Sequence, residues 1–104
     1  MGYIECGGQK MGYFEYMTPD FQHPDTGIPC NFTFDDRSEL LYLEPCELVL
    51  DSWGISHNDA LYKETERLCR RYGKRTCSSL AEANRIIKAT MPRAYEDGAV
   101  FDED

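Results

Sequence analysis

Several features that define common protein classes are missing from this 104-residue chain. No run of apolar residues approaches the roughly 18 that a membrane span requires, so an integral membrane protein is excluded. The first five residues lack the basic start and apolar core of a secretory signal, and a cytoplasmic location is therefore expected. Histidine occurs twice and tryptophan once. No enzyme motif stands out, and neither catalysis nor a cofactor is predicted.

Closely spaced cysteine pairs are also missing. The two nearest cysteines, Cys69 and Cys77, are separated by seven residues, whereas zinc ligands usually come in pairs with two to four residues between them. An odd number of cysteines favours free, buried thiols in a reducing compartment. The residues that could still converge on a metal are Cys6, Cys30, Cys46, His23 and His57. A zinc-binding protein, or a hydrolase using a pair such as Cys30 and His57, is the weakest of three functional hypotheses.

The first half of the chain has the composition of strands and turns. Hydrophobic residues make up 41% of the chain and aromatic residues 12%, enough for a packed core. Short apolar or aromatic runs predict antiparallel strands, and the proline-rich stretch 18–29 predicts a long loop. The candidate strands are residues 3–6, 11–17, 31–34, 39–43 and 47–50, the last two forming a hairpin through Pro45. A short helix over 37–43 is the alternative for the fourth strand.

The second half changes to a helical period. Apolar spacing predicts helices over residues 57–73 and 80–91. Gly73 suits the residue after the first helix because glycine accepts a left-handed conformation at no steric cost. Ser79 begins an S-x-x-E capping box for the second helix, and Pro92 ends that helix.

These patterns predict an α+β fold, in which an antiparallel sheet of about four to five strands packs against a C-terminal helical hairpin. We expect a single domain over residues 1–94 and an acidic tail over 95–104 without regular structure. The first helix should begin at Ser56 and bury Leu61, Leu68 and Tyr72. Trp53, between sheet and helix, is expected in the core.

Charge is distributed unevenly along the chain, which has a net charge of −8. Residues 1–55 contain ten acidic and two basic residues, and residues 94–104 contain five acidic residues and no basic one. Residues 56–93 contain nine basic and four acidic residues. The basic residues of the first predicted helix fall opposite its apolar stripe. This basic helix face comprises Lys63, Arg67, Arg70, Arg71 and Lys74, extended by Arg75.

A row of like charges on one helix face favours an anion beside it, because like charges four residues apart repel. The protein's own carboxylates, nucleic acid, or an acidic patch on a partner protein or a second copy could supply that anion. A homodimer is expected, since acidic and basic surfaces on one chain are complementary between copies. Acidic residues proposed as a second interaction surface are Asp20, Asp25, Asp35, Asp36, Glu39, Glu44 and Glu47.

The leading hypothesis is a non-catalytic protein-interaction module that inhibits a nucleic-acid-handling protein complex by occupying its nucleic-acid site. Carboxylates would then stand where phosphates bind. In size, acidity and lack of motifs the chain resembles phage and mobile-element inhibitors, anti-CRISPR proteins among them. That resemblance covers composition only and implies no individual site residue. The alternative is a nucleic-acid-binding module that uses the basic helix face.

Overall fold

The computed structural model describes residues 15–103, and its elements alternate between a small sheet and helices. In chain order they are β1 (Glu15–Met17), β2 (Phe21–Gln22), β3 (Pro29–Asp35), β4 (Leu40–Pro45), α1 (Glu47–Trp53), α2 (Ala60–Tyr72), β5 (Arg75–Thr76), α3 (Leu80–Thr90) and α4 (Pro92–Glu96). The predicted strand at 3–6, and the 11–17 strand before residue 15, lie outside the described residues.

The sheet is built around β3, the longest strand. It is antiparallel and has the order β1-β3-β4-β5, with β2 pairing the same edge of β3 as β1. Pro19 separates β1 from β2. At this break Thr18 continues the pairing with β3, because its N–H donates to the carbonyl of Phe32 and its hydroxyl accepts from the N–H of Phe32. The predicted α+β class and the antiparallel sheet in the N-terminal half are confirmed.

The predicted strand at 47–50 is wrong, because these residues open helix α1. Pro45 ends β4, and the N–H of Cys46 still bonds the carbonyl of Pro29 before the chain turns into the helix. Glu47 places a negative charge in the first turn, where the helix dipole favours it. Gly54, at φ 73°, ends the helix in the left-handed conformation. The apolar residues at 48 and 50 alternate as in a strand, but only Leu50 is buried.

Helices α2 and α3 match the predictions within three residues at their ends. The N-cap of α2 is Asp59 rather than Ser56, because the Asp59 carboxylate accepts hydrogen bonds from two N–H groups of the first turn. Gly73 has the predicted positive φ, at 80°. The Ser79 hydroxyl accepts a hydrogen bond from the N–H of Glu82, as the capping box predicts. The Glu82 carboxylate accepts from the N–H of Ser78 rather than from that of Ser79.

The core lies between one face of the sheet and the helices. Phe32 is fully buried at its centre, stacked on Phe21 and in edge contact with Tyr72 of α2. A second, smaller cluster joins Ile28, Leu50 and Tyr62. Two apolar residues expected in the core are exposed instead: Trp53 is 53% exposed and Leu61 is 51% exposed. The buried residues of α2 are Tyr62, Thr65 and Cys69.

The C-terminal segment packs against the domain. The predicted absence of helix after Pro92 is wrong, since Pro92 occupies the first turn of α4, where a missing N–H costs nothing. Beyond α4, Ala99 and Phe101 are buried in the main core, and the Asn84 side chain of α3 bonds both the N–H and the carbonyl of Phe101. Among residues 15–103, no helix has the length and apolarity needed to cross a membrane.

The Asn84→Leu variant tests this attachment of the tail. Leucine has a side-chain volume close to that of asparagine, but it leaves the N–H and the carbonyl of Phe101 without their Asn84 partners. We therefore expect the free energy of unfolding to fall by about 2–3 kcal/mol. Amide hydrogen exchange at Phe101 should accelerate more than exchange in β3. The control Arg85→Ala, at an exposed neighbouring position, should change stability by less than about 0.5 kcal/mol. Equal protection of Phe101 in both variants would contradict the assignment.

Candidate interaction groove and basic helix face

The outward face of α2 carries the predicted row of basic residues. Lys63, Arg67, Arg70 and Arg71 are all exposed on α2. Lys74 is also exposed, two residues beyond the end of the helix. The helix turns this row outward because Tyr62, Thr65 and Cys69 occupy the opposite side, under the sheet. Arg70 and Arg71 lie in the last turn, where the helix dipole favours positive charge.

Only part of this charge is neutralised within the described chain. Arg67 forms a two-point ion pair with Glu64, at 2.9 and 2.6 Å. That pair raises the pKa of Arg67 and lowers the pKa of Glu64. Across residues 15–103, the side chains of Lys63, Arg70, Arg71 and Lys74 have no carboxylate oxygen within 4.0 Å. Four exposed cations therefore remain without an ion-pair partner in this part of the molecule.

Two consecutive basic residues, Lys74 just before β5 and Arg75 at its start, contact aromatic rings. The Arg75 guanidinium lies 4.1 Å from the centre of the Tyr72 ring, and the Lys74 ammonium lies 5.3 Å from the centre of the Tyr42 ring. Arg75 is half-buried, and its Nε has no hydrogen-bond partner among residues 15–103. Arg75 thus serves mainly to hold β5 beside α2, whereas Lys74 remains exposed at the surface.

A groove of about 750 Å³ runs between α2 and β4. One wall is the edge of β4 over residues 42–45, and the other is the flank of α2 that carries Glu66 and Arg70, continued by Lys74 beyond the end of the helix. The helix runs opposite to the strand, since Tyr62 contacts Glu47 just beyond the end of β4 while Lys74 contacts Tyr42 near its start. Such a volume is typical of ligand pockets, which measure roughly 300–1,000 Å³.

One end of this groove is acidic. The Tyr62 hydroxyl donates to Glu47 at 3.3 Å, and His57 stacks on the Tyr62 ring with its Nε2 3.5 Å from the other Glu47 oxygen. Burial, followed by the charges of Glu66 and Glu47, raises the pKa of Tyr62 to about 12. Tyr62 consequently stays protonated at neutral pH and acts as a hydrogen-bond donor, not as a base.

Glu44 adds a further carboxylate to the acidic end. Burial, followed by the nearby charges of Glu15 and Glu47, raises its pKa, while Lys74 acts in the opposite direction. The groove therefore changes sign along its length, from Glu44, Glu47 and Glu66 to Arg70 and Lys74. A ligand with a positive group toward one end and a negative group toward the other matches this arrangement.

The structure brings together part of the predicted acidic surface: Asp35 and Glu44 both lie near Tyr42, whose pKa is raised by burial and then by the charges of Glu15, Glu44 and Asp35. Asp35, Asp36 and Glu39 belong to the β3–β4 turn, where the Asp35 carboxylate accepts from the N–H groups of residues 37 and 38. Residue 35 pairs with 40 at this end of the hairpin, whereas residue 31 pairs with Glu44 near the other end. Glu44 and Glu47 line the groove. The remaining two, Asp20 and Asp25, are exposed in turns on either side of β2.

Sequence reasoning missed the exposed apolar residues of α1. Leu48 is 84% exposed and Trp53 is 53% exposed, and both share this short helix with Glu47 and Asp51. Because α1 was predicted as a strand, its helical faces could not be assigned. A helical reading of 47–53, ended by Gly54, would have placed Leu48 away from the buried Leu50.

The candidate catalytic and metal-binding residues do not form a site in the described part of the chain. Cys30 is fully buried, and its hydrogen bond with Cys69, together with burial, raises its pKa, so it stays a thiol. His57 is exposed beside α2. Among residues 15–103, no three histidine, cysteine, aspartate or glutamate side chains are placed to hold a metal ion. Cys6 lies outside these residues.

Comparisons of this chain with protein-family models, with curated proteins and with solved structures gave no match. The groove and the basic helix face therefore have to be interpreted from their own chemistry.

His23 provides a pH test of the turn that leads into β3. It is buried, and its Nδ1 accepts from the N–H of Asp25. Burial lowers its pKa below 6.5 although Asp25 opposes the shift. The unfolded chain therefore takes up a proton first, so His23 reduces the unfolding free energy as the pH falls through about 6.5, until the folded pKa is passed.

Urea denaturation of the wild type and His23→Asn between pH 8 and pH 5 measures this contribution. Asparagine keeps an acceptor for the Asp25 N–H, and it does not titrate. We expect the stability of the variant to improve relative to the wild type on acidification. A difference between wild type and His23→Asn that is independent of pH would contradict the prediction.

Proposed function

We propose that this protein is a non-catalytic interaction module that binds another protein through the basic face of α2 and the adjoining groove. The supporting observation is the set of four exposed cations, Lys63, Arg70, Arg71 and Lys74, that lack an ion-pair partner in residues 15–103. Like charges at 63 and 67, and at 67 and 71, repel by about 0.2–0.5 kcal/mol each in a helix. An acidic group on a partner would relieve that repulsion.

The arrangement of charges favours a protein partner over nucleic acid. A phosphate backbone laid along α2 would pass Glu64 and Glu66 on the same helix, and it would approach Glu44 and Glu47 at the acidic end of the groove. The net charge of −8 also opposes the long-range approach of a polyanion. A protein presents separate acidic and basic groups, so it can match a surface that changes sign over a few residues.

Within this class we propose an inhibitor of a protein complex in the cytoplasm: the acidic surface around α1 occupies the basic nucleic-acid site of that complex, and the basic face of α2 contacts an acidic surface beside it. Support comes from the net negative charge and from α1, where Trp53 and Leu48 are exposed beside Glu47 and Asp51. Carboxylates on such a surface can take the places of phosphates, while tryptophan is among the residues that most often dominate interface energy. Thiols at Cys30, Cys46, Cys69 and Cys77 are free, which suits a reducing compartment.

Charge reversal tests the role of the basic face. In affinity capture from nuclease-treated lysate, Arg70→Glu/Arg71→Glu should reduce the captured partner at least tenfold. The control Arg85→Glu, an equally exposed cation on α3, should retain it. Capture should weaken only moderately between low and moderate salt.

Two results would count against this proposal. The first is the recovery of no protein partner at either salt concentration. The second is a gel shift of single- or double-stranded nucleic acid that is lost with the Arg70→Glu/Arg71→Glu substitutions and falls steeply with salt, which would favour the nucleic-acid-binding alternative. Light scattering of the purified protein shows whether the captured partner is a second copy.

Truncation of the exposed apolar residues tests the surface of α1. Trp53→Ala should leave the unfolding free energy within about 0.5 kcal/mol of the wild type, because more than half of the side chain is already exposed. Binding to the captured partner should weaken by about thirtyfold, the loss of about 2 kcal/mol that defines an interface hot spot. Leu50→Ala, which truncates the buried residue of the same helix, should instead destabilise the fold. A fully retained affinity in Trp53→Ala would contradict the role of α1.

A further inference from the structure

The groove is bordered by an incompletely paired strand. On its outer edge, β4 pairs with β5 only at Leu40 and Leu41. Within the described residues, no strand pairs with residues 42–45 on that side, while all of β4 pairs with β3 on the other. The two-residue β5 thus covers the start of the edge and leaves the rest facing α2.

The free part of this edge offers a backbone donor and acceptor at Leu43. Residues of an antiparallel strand direct their N–H and C=O groups alternately to one neighbour and to the other. The carbonyl of Glu39 accepts from Cys77, next to β5, so the odd-numbered residues of β4 point outward. The strand pairing supports this. Phe32 lies opposite Leu43, and the backbone of Phe32 bonds Thr18 on the side of β3 away from β4, so Phe32 and Leu43 do not bond each other. The N–H and C=O of Leu43 therefore face the groove.

The groove is also closed at one end and charged at both. At the start of β4, β5 and Lys74 stop any added strand, and Arg70 and Lys74 provide two positive charges there. Toward the end of β4 the groove carries Glu44, Glu47 and Glu66. Pro45, at that end, has no N–H to donate.

The geometry points to a specific occupant: the C-terminal segment of a partner protein, added as an antiparallel strand through the backbone of Leu43. An antiparallel strand runs from the acidic end of the groove to its closed end, which places its terminal carboxylate beside Arg70 and Lys74. A parallel strand would instead bring a positively charged amino terminus to these cations. A lysine or arginine two to four residues before the terminus would meet the acidic end. Strand addition of this kind takes affinity from main-chain bonds and specificity from the flanking side chains.

This inference rests on the proposed function, because it names the partner chemistry of the same site. It requires a free carboxylate, whereas the proposed function requires only an acidic protein surface.

Selection from a library of random heptapeptides with free C-termini tests it on the intact protein. We expect enriched peptides with a basic residue two to four positions before the terminus. Amidation of that terminus should weaken binding at least tenfold in fluorescence anisotropy. Arg70→Gln/Lys74→Gln should weaken it as much, while the matched pair Lys63→Gln/Arg71→Gln, on the same helix but outside the groove, should not. Hydrogen exchange at the Leu43 amide should slow on binding.

Three outcomes would overturn the inference. The first is that the wild type enriches no peptides beyond those enriched by the Arg70→Gln/Lys74→Gln variant. The second is equal binding of peptides with a free and with an amidated C-terminus. The third is unchanged hydrogen exchange at the Leu43 amide on peptide binding. Self-association that disappears in Arg70→Gln/Lys74→Gln would assign the groove to a second copy and would also overturn it. Charge-dependent capture of a partner that persists alongside any of these results would leave the proposed function standing without its C-terminal ligand.

Discussion

The rotation of α2 about its own axis determines where every other feature of the surface lies. Thr65 helps to fix that rotation, because its buried hydroxyl forms a 2.6 Å hydrogen bond with the hydroxyl of Thr26, outside the helix. With Tyr62 and Cys69 on the same side, the helix lies against β4 and the core. The arginines and lysines are then directed outward, and the flank with Glu66 and Arg70 faces the strand edge. A polar contact inside the fold thus orients the charged surface outside it.

Local signals in the sequence predicted the elements that local chemistry controls. Ser79 and Gly73 mark helix ends because capping depends on one or two residues, and the aromatic run at 31–34 indicated a strand that the structure extends to β3. Helix α1 was missed because its alternating leucines resemble a strand over four residues. Leu61 was predicted in the core because Leu61, Leu68 and Tyr72 recur at helical spacing. The residues that α2 buries are instead Tyr62, Thr65 and Cys69.

The groove could not be predicted from the sequence for a different reason. It depends on which part of β4 remains unpaired, and that depends on β5, a two-residue strand with no local signature. It also depends on contacts between residues far apart in the chain, such as Lys74 with Tyr42 and Tyr62 with Glu47. Acidic and basic residues that are separate in sequence are therefore interleaved in space. The separation of acidic and basic blocks along the sequence is therefore not kept in the groove.

The edge of β4 that has no partner strand within residues 15–103 is short, and this has a consequence for the behaviour of the protein at high concentration. A long unpaired strand is a template on which molecules can stack without limit into fibrils. Here β5 covers one end, Pro45 removes a donor at the other, and lysine and glutamate side chains flank the gap. Within residues 15–103, this edge offers too few unpaired backbone groups to propagate a sheet from molecule to molecule. The short unpaired length therefore limits stacking of molecules through this edge of the sheet.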